Sequence, residues 1–247
     1  MFRHKGKTRT LKHNLRIATL LSFVAGIVNV GGFLAVQRLT TNVTGHFAFF
    51  VDEMLKLNFW MGFIYFLYIF FFFLGSFTSN LIVEIITKKN DRLIYIIPTI
   101  IETVILLLLA VFGQFLVEKN PNLLACTLLF SMGLQNSLVT KISNSTVRTT
   151  HLTGLFTDLG IELSQLLFYK EKEQRKKLFA SIKLRFTIIT FFFWGGILSG
   201  VLYSSLQLYV LAIAAAILLL GIFYDDLKFK IIMKNRGQID EVKTDEE

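Results

Sequence analysis

Residues 59–86 read FWMGFIYFLYIFFFFLGSFTSNLIVEII, and Glu84 is the one charged residue in this stretch. As a helix rising 1.5 Å per residue, the stretch would be about 40 Å long, whereas the hydrocarbon core of a bilayer is ~30 Å thick. It therefore predicts a membrane-spanning helix that tilts, or that extends past the membrane near Glu84. This one segment places the chain among the integral membrane proteins.

Further apolar blocks lie before and after this stretch, at residues 17–36, 93–117, 123–139, 186–203 and 208–224. Charged residues make up 17% of the chain, against roughly 25% in soluble domains. We therefore predict an all-α integral membrane protein with about six transmembrane helices. An eight-span count would add residues 42–57 and 151–168. That count would place the basic cluster of Lys88, Lys89 and Arg92 outside the cell, so six spans are preferred.

The net charge of +9 is carried by segments between the apolar blocks and beyond them. Basic residues concentrate in the tail 1–16, in the segment 170–177 and in the charged tail 225–247. This distribution is typical of cytoplasmic flanks under the positive-inside rule, and it argues against a soluble surface that binds nucleic acid. We expect a multi-pass protein of the cell membrane with its N- and C-termini in the cytoplasm.

An internal repeat organises the chain. Residues 40–47 read TTNVTGHF and residues 149–156 read TTHLTGLF, with five of eight positions identical. Two shorter matches flank these octamers in the same order, GIVN at 26–29 with GLQN at 133–136, and FFLG at 72–75 with FFWG at 192–195. Three collinear matches indicate that one unit has been duplicated.

The repeat divides the chain into a first transmembrane unit, residues 17–117, and a second, residues 118–224. Each unit holds three predicted spans and one Thr-Gly segment. Because three is an odd number, the second unit starts on the opposite side of the membrane from the first. The expected fold is therefore two inverted three-helix repeats, each with a Thr-Gly half-helix. Four spans per unit would make the repeats parallel instead.

The motifs of the repeat resemble those of the YoaK family of small bacterial multi-pass membrane proteins. The matching segments are AGIVNVGGF at 25–33, NVTGH at 42–46, GLQNS at 133–137, VRTTHLTG at 147–154 and TDLG at 157–160. The resemblance covers about residues 16–224, and it implies a six-span protein without an assigned activity. Family members often carry an Asp where this chain has Asn29, so a role of that carboxylate in proton coupling does not carry over.

Each Thr-Gly segment follows a predicted span and starts with small and hydroxylated residues. Two interpretations stay open: an amphipathic helix at the interface, or a re-entrant half-helix whose broken backbone lines a cavity. In the second case, the helix N-terminus would offer N–H groups suited to an anion. The candidate substrate-binding residues are Asn29, Thr44, Gly45, Gln135, Asn136, Thr150, Thr153 and Gly154.

Three carboxylates are candidates for ion or proton coupling, namely Glu102, Asp158 and Glu162. Glu102 lies about ten residues into the third predicted span, roughly 15 Å deep. A carboxylate at that depth is a functional candidate by default, and the alternative is a protonated Glu that only bonds a neighbouring helix. Asp158 and Glu162 lie on the polar side of the second Thr-Gly segment.

The sequence contains no Walker A loop, zinc motif or nucleophile elbow, so we expect neither an enzyme nor a cofactor or metal site. The leading hypothesis is a secondary transporter or facilitator of a small solute, with anions among the candidates. The alternative is a non-transporting interaction or scaffold protein that docks partners through its basic cytoplasmic loop and tail. An intramembrane enzyme is a third hypothesis. Expected partners are the lipid bilayer and the solute, without nucleic acid, and the spacing of Gly196 and Gly200 could support helix packing or a homo-oligomer.

Overall fold

A computed structural model describes residues 10–87, 94–225 and 227 of the chain, and all regular secondary structure in these ranges is helical. The helices are α1 (Leu11–Val36), α2 (Thr44–Leu55), α3 (Phe59–Thr87), α4 (Ile96–Lys119), α5 (Pro121–Ser143), α6 (Leu152–Phe168), α7 (Lys172–Leu206) and α8 (residues 210–225). A 3-10 turn, Gln207–Tyr209, separates α7 from α8.

Five helical segments of the described chain are long and apolar enough to cross a membrane. They are Leu11–Val36, Phe59–Thr87, Ile96–Lys119, Pro121–Ser143 and Lys172–Asp225. The last of these, 54 residues long, contains α7, the 3-10 turn and α8. The fold is thus that of a helical multi-pass membrane protein. The basic cluster of Lys88, Lys89 and Arg92 and most of both charged tails lie outside the described residues.

The turn between α4 and α5 shows how local sequence ends one long helix and begins the next. Asn120 is both the C-cap of α4 and the N-cap of α5, and its side-chain oxygen accepts a hydrogen bond from the Leu123 N–H at 3.1 Å. Pro121 follows at the first position of α5, where its missing N–H costs nothing. The two helices therefore form a tight antiparallel hairpin.

Two long helix pairs run parallel, and in each pair the helices come from different repeat units. A Cβ atom on Gly26 of α1 would overlap the Phe192 carbonyl oxygen of α7, and one on Gly133 of α5 would overlap the Phe72 carbonyl oxygen of α3. Only glycine permits such close backbone approach. In the sequence repeat, Gly26 matches Gly133 and Phe192 matches Phe72, so the two contacts are equivalent.

The reciprocal contacts obey the same register. Gly195 of α7 lies against the backbone of Phe23, and Gly75 of α3 lies against the backbone of Phe130. Gly196 and Gly200 of α7 face Val30 of α1, so their four-residue spacing serves helix packing within the chain.

Helices α1 and α5, which match each other in the repeat, are antiparallel. The Gln135 side-chain nitrogen donates to the Leu21 carbonyl at 2.7 Å, while Gly32, further along α1, lies against Leu128, earlier in α5. Helix α8 also runs antiparallel to α1, because Gly31 lies beside Val210 and Gly221 lies beside Leu20. Of the helices around α1, α7 therefore runs parallel to it, and α5 and α8 run antiparallel.

The two Thr-Gly helices each pack back along the long helix that follows them. In the first unit, Met54 of α2 lies against Gly62 of α3, and the His46 ring lies 4.9 Å from that of Tyr68. In the second unit, Glu162 of α6 binds Arg185 of α7. Both hairpins are antiparallel, and they occupy equivalent places in the repeat.

These helix directions separate the molecule into two ends with different charge. One end holds the starts of α1, α4 and α7 and the ends of α3 and α5. Its described basic residues are Lys12, Arg16, Lys141, Arg148, Lys170, Lys172, Arg175, Lys176, Lys177, Lys183 and Arg185. The opposite end carries Arg38, Lys56 and Lys119. We call the first the basic end.

Helix α7 begins at Lys172, well before the span predicted at 186–203. The charged residues at 172–177, which the sequence placed in a loop, therefore form the exposed first turns of a helix. Good helix formers such as Lys, Glu, Gln and Arg dominate this segment. The long helix carries them continuously into the apolar part of α7.

Candidate functional site

Two matching polar contacts tie the Thr-Gly segments to the central helices. The Thr41 hydroxyl donates to the Asn29 side-chain oxygen at 2.6 Å. The Thr150 hydroxyl donates to the equivalent oxygen of Asn136 at 2.9 Å. Each Asn lies seven residues before the end of its helix, Val36 for α1 and Ser143 for α5, or about 10 Å along the axis.

Both connecting segments therefore fold back into the bundle before the Thr-Gly helix begins. Thr40 reinforces the first segment by donating to the Val28 carbonyl at 3.3 Å. In each Thr-Gly helix one side chain is buried, His46 in α2 and Leu155 in α6, and these two positions match in the repeat. The His46 Nε2 donates to the Leu39 carbonyl at 2.6 Å. The helix N-termini thus lie against the protein interior.

A cavity of about 800 Å³ lies between α3 and α5 at the basic end. Asn136 is part of its wall, and most of the other lining side chains are polar. They include Ser76, Asn80, Glu84 and Thr87 from α3 and Ser137, Thr140, Lys141 and Asn144 from α5 and its end. Lys141 and Glu84 pair across the two helices at 2.7 Å. The cavity offers hydroxyl, amide and charged groups to a polar solute.

Two residues of this cavity wall have counterparts in the wall of an apolar cavity in the other half of the repeat. In the register of the repeat, Ser76 becomes Gly196 and Ser137 becomes Val30. These two residues lie in the wall of a cavity of about 410 Å³, whose other lining residues are Leu152, Phe156, Ile189, Phe192, Phe193 and Ile197. At these two positions, the serines of one half are replaced by a glycine and a valine in the other.

A second polar cavity, of about 350 Å³, lies beside the N-terminus of α6. Gly154, Asp158 and Arg185 lie in its wall, together with Arg148 and His151. Arg185 bonds Asp158 at 3.2 Å and holds both oxygens of Glu162, at 2.9 and 3.0 Å. Asp158 and Glu162 thus join α6 to α7 through one arginine.

The other predicted residues lie at different depths. Thr44 and Thr153 are exposed, and Gly45 lies against Leu39. Gln135 is buried at the level of Leu21, whereas Asn29 lies eight residues further along α1, or about 12 Å. The structure therefore places Asn136, which accepts a hydrogen bond from Thr150, in the wall of the large cavity, and it places Asn29 with Thr41 toward the other end of the bundle.

Glu102 is fully buried on α4, and both of its carboxylate oxygens are without a hydrogen-bond partner in the described chain. Thr99 and Thr103, its neighbours on the same face, each donate to the backbone of their own helix. Glu102 thus lies in the interior of the helical bundle.

The α3 side of the large cavity went unnoticed in the sequence. Its residues Ser76, Asn80, Glu84 and Thr87 recur every three or four positions, which places them on one helix face. That polar stripe within an apolar block is a signal that sequence reading could have used. The strongly apolar character of residues 59–86 as a whole obscures this polar stripe.

The fold and this site define a multi-pass helical membrane protein with a polar cavity between helices of two repeat-matched units. The chain belongs to a family described as protein of unknown function (DUF1275), whose family model matches residues 17–224. No curated protein and no solved structure matches the chain significantly.

Proposed function

We propose that this protein is a secondary transporter or facilitator that moves a small polar solute by exchanging the shapes of its two halves. The observation that carries the proposal is the equivalence of contacts across the repeat. Gly26 meets Phe192 as Gly133 meets Phe72, and the Asn29–Thr41 bond has its counterpart in Asn136–Thr150. Halves related in this way can adopt each other's conformation, which is the basis of alternating access in inverted-repeat transporters.

In this proposal, each unit comprises three membrane spans, α1, α3 and α4 in the first and α5, α7 and α8 in the second. The antiparallel packing of α1 against α5 supports inversion of the two units. Helices α2 and α6 are the half-helices, because their leading segments bond Asn residues about 10 Å inside the ends of α1 and α5. The motifs of both halves also support membership of the YoaK group within the family.

The basic end faces the cytoplasm in this proposal, because Lys and Arg accumulate on the cytoplasmic side of membrane proteins. The 800 Å³ cavity is lined by residues near that end, so the proposal takes the described conformation as the inward-facing one. Its lining of Ser, Thr and Asn side chains, with Glu84 and Lys141 as charged groups, suits a solute with several hydrogen-bonding groups. Asn136 would bind it from the second unit, held in place by its hydrogen bond from Thr150.

The test compares two matched positions by cysteine labelling with a membrane-impermeant reagent. Asn80 lies in the wall of the polar cavity, and Gly200 is its counterpart in the repeat. A Cβ atom on Gly200 would meet only Val30, at 3.7 Å, so a cysteine fits there. Asn80→Cys and Gly200→Cys are made separately in a chain carrying Cys126→Ala, because Cys126 is the one native cysteine.

Alternating access predicts that Asn80→Cys reacts in inside-out vesicles and is protected in right-side-out vesicles. Gly200 is exposed in the described conformation, so Gly200→Cys should react from the opposite side, and conditions that protect Asn80→Cys should raise its rate. If Gly200→Cys never reacts from either side while Asn80→Cys does, the two halves do not exchange shapes and the transport proposal fails.

A second candidate function is docking through the basic helical segment. Residues 172–177, which include Arg175, Lys176 and Lys177, are exposed on the first turns of α7, where they can meet anionic lipid or an acidic partner. Neutralising these three residues with Gln should leave the labelling of Asn80→Cys unchanged if transport is the function. Loss of a cellular phenotype with unchanged labelling would favour docking.

A further inference from the structure

Glu102 is a buried acid without a compensating charge. The residue is 0% exposed, and neither carboxylate oxygen has a hydrogen-bond partner among the described residues. Burying an isolated carboxylate is too costly to tolerate, so such a group is held neutral or matched by a cation. A protonated Glu102 carries one O–H donor, and that donor requires an acceptor.

Gln135 of α5 supplies a buried acceptor. Its side-chain nitrogen donates to the Leu21 carbonyl at 2.7 Å. Because a carbonyl only accepts hydrogen bonds, this contact fixes which end of the amide is nitrogen. The oxygen end, Oε1, is buried and without a partner in the described chain. It needs a donor, and it cannot obtain one from Leu21.

The two residues lie at nearly the same level of the bundle. Helices α4 and α5 are joined at Asn120, which caps both. Glu102 lies 18 residues before Asn120 and Gln135 lies 15 residues after it. In an antiparallel hairpin, this difference of three residues corresponds to about 4.5 Å along the axis. Ser79 of α3, whose buried hydroxyl also lacks a partner, lies within the same layer, since Ser76 bonds Gly133.

Charged and titratable groups on the surrounding helices lie toward either end of the bundle. Toward the basic end they include Arg16 on α1, Glu84 on α3, Tyr95 before α4, Lys141 on α5 and Asp225 on α8, and toward the opposite end Tyr65 and Tyr68 on α3, Glu118 and Lys119 on α4 and Cys126 on α5. Lys141 and Glu84 bond each other at 2.7 Å. No described cation bonds Glu102, so a proton is the simplest group that neutralises it.

We infer that Glu102 and Gln135 form the proton-binding site that couples transport, with the Glu102 O–H donating to the Gln135 side-chain oxygen. The coupling role rests on the proposed function, whereas the proton-binding site itself does not. Asn136 and Asn80, each adjacent in sequence to a residue of this layer, line the large cavity. Water in that cavity exchanges the proton with the cytoplasm when the layer opens.

The experiment records the infrared C=O stretch of protonated carboxyl groups in the purified full-length protein. A maltoside detergent is used because it has no ester carbonyl to overlap that band. The variants are Glu102→Gln, which keeps the size of the side chain, and Gln135→Met, which removes the acceptor. Glu118→Gln, at an exposed position near the end of the same helix, is the matched control.

At neutral pH the wild-type protein and Glu118→Gln should show a band that Glu102→Gln lacks. Gln135→Met should keep the band but shift it to higher frequency, because the O–H loses its acceptor. The inference is overturned if Glu102→Gln leaves the spectrum unchanged, or if Gln135→Met does not move the band. Loss of the band on replacing K⁺ with Na⁺ would show that the site takes a metal cation, which also overturns it. None of these results depends on vesicle labelling, so failure of the transport proposal would be seen separately.

Discussion

At the scale of single residues, glycines determine how closely the long helices approach. Gly26, Gly75, Gly133 and Gly195 each occupy a place where a Cβ atom would overlap a backbone carbonyl of the facing helix. A backbone atom cannot move aside as the tip of a side chain can. These four positions therefore hold the two parallel helix pairs together, and they are the positions that the repeat matches.

Replacing Gly133 tests this packing. In Gly133→Ala the new methyl group must push α3 and α5 apart at Phe72, and we expect a loss of about 2 kcal/mol in the free energy of unfolding. Thermal unfolding in detergent, followed by circular dichroism, measures the loss. Gly160→Ala is the matched control, because a Cβ atom there meets nothing within 4 Å. The control should be neutral, or more stable by up to ~1 kcal/mol through helix propensity. Equal behaviour of the two variants would contradict the close approach of α3 to α5.

At the scale of elements, helix α6 is tied to α7 by a charged network. Arg185 holds Glu162 through two hydrogen bonds, Ser181 donates to the same carboxylate at 2.6 Å, and the Glu162 side chain is 13% exposed. The hairpin of α2 and α3 is held together by aromatic contacts instead, in which the His46 ring packs against Tyr65 and Tyr68. The matched helix pairs are thus joined by a salt bridge in one half and by aromatic ring contacts in the other.

A double-mutant cycle on Glu162→Gln and Arg185→Gln measures the strength of this tie. Because the salt bridge between Arg185 and Glu162 is bidentate and mostly buried, we expect a coupling of about 1–2 kcal/mol in unfolding free energy. The exposed pair of Lys56 and Asp52 on α2 is the comparison, and its coupling should be much smaller, because water screens both side chains. A coupling near zero for Glu162 and Arg185 would mean that packing alone joins α6 to α7.

At the scale of the whole molecule, the direction of each helix determines whether the two matched units are parallel or inverted. The turn between α2 and α3 and the turn between α6 and α7 are equivalent in the repeat. Yet they lie at opposite ends of the bundle, because α3 and α7 run in opposite directions. Inverted units therefore predict that the two turns face opposite sides of the membrane.

Cysteines at Leu57 and Tyr169, both exposed in these turns, test the orientation on the Cys126→Ala background. In intact cells, an impermeant thiol reagent should label Leu57→Cys and leave Tyr169→Cys unlabelled until the membrane is permeabilised. Labelling of both residues from one side would make the repeats parallel. Reversed labelling would keep the inversion but place the basic end outside, against the positive-inside rule.

Much of the fold could be predicted from the sequence, because helix formation in a membrane depends on local apolar length. The predicted blocks at 17–36, 59–86 and 93–117 coincide closely with α1, α3 and α4. The start of α7 was missed, since residues 172–177 are charged, and charged residues also form exposed helix. Assembly of the candidate site could be predicted only in part. Asn136 and Thr150 share a polar contact, but Asn29 lies at another depth.

The amino-acid sequence by itself determined that the chain is an apolar helical protein whose motifs recur in the same order, because composition and self-similarity are properties of the order of residues. Only the tertiary structure decided which helices pair. Gly26 meets Phe192 and not Phe72, so each parallel pair joins residues from both units. It also decided that a large polar cavity forms between α3 and α5. Such contacts depend on helix direction and rotation across long sequence separations, which local apolar pattern does not encode.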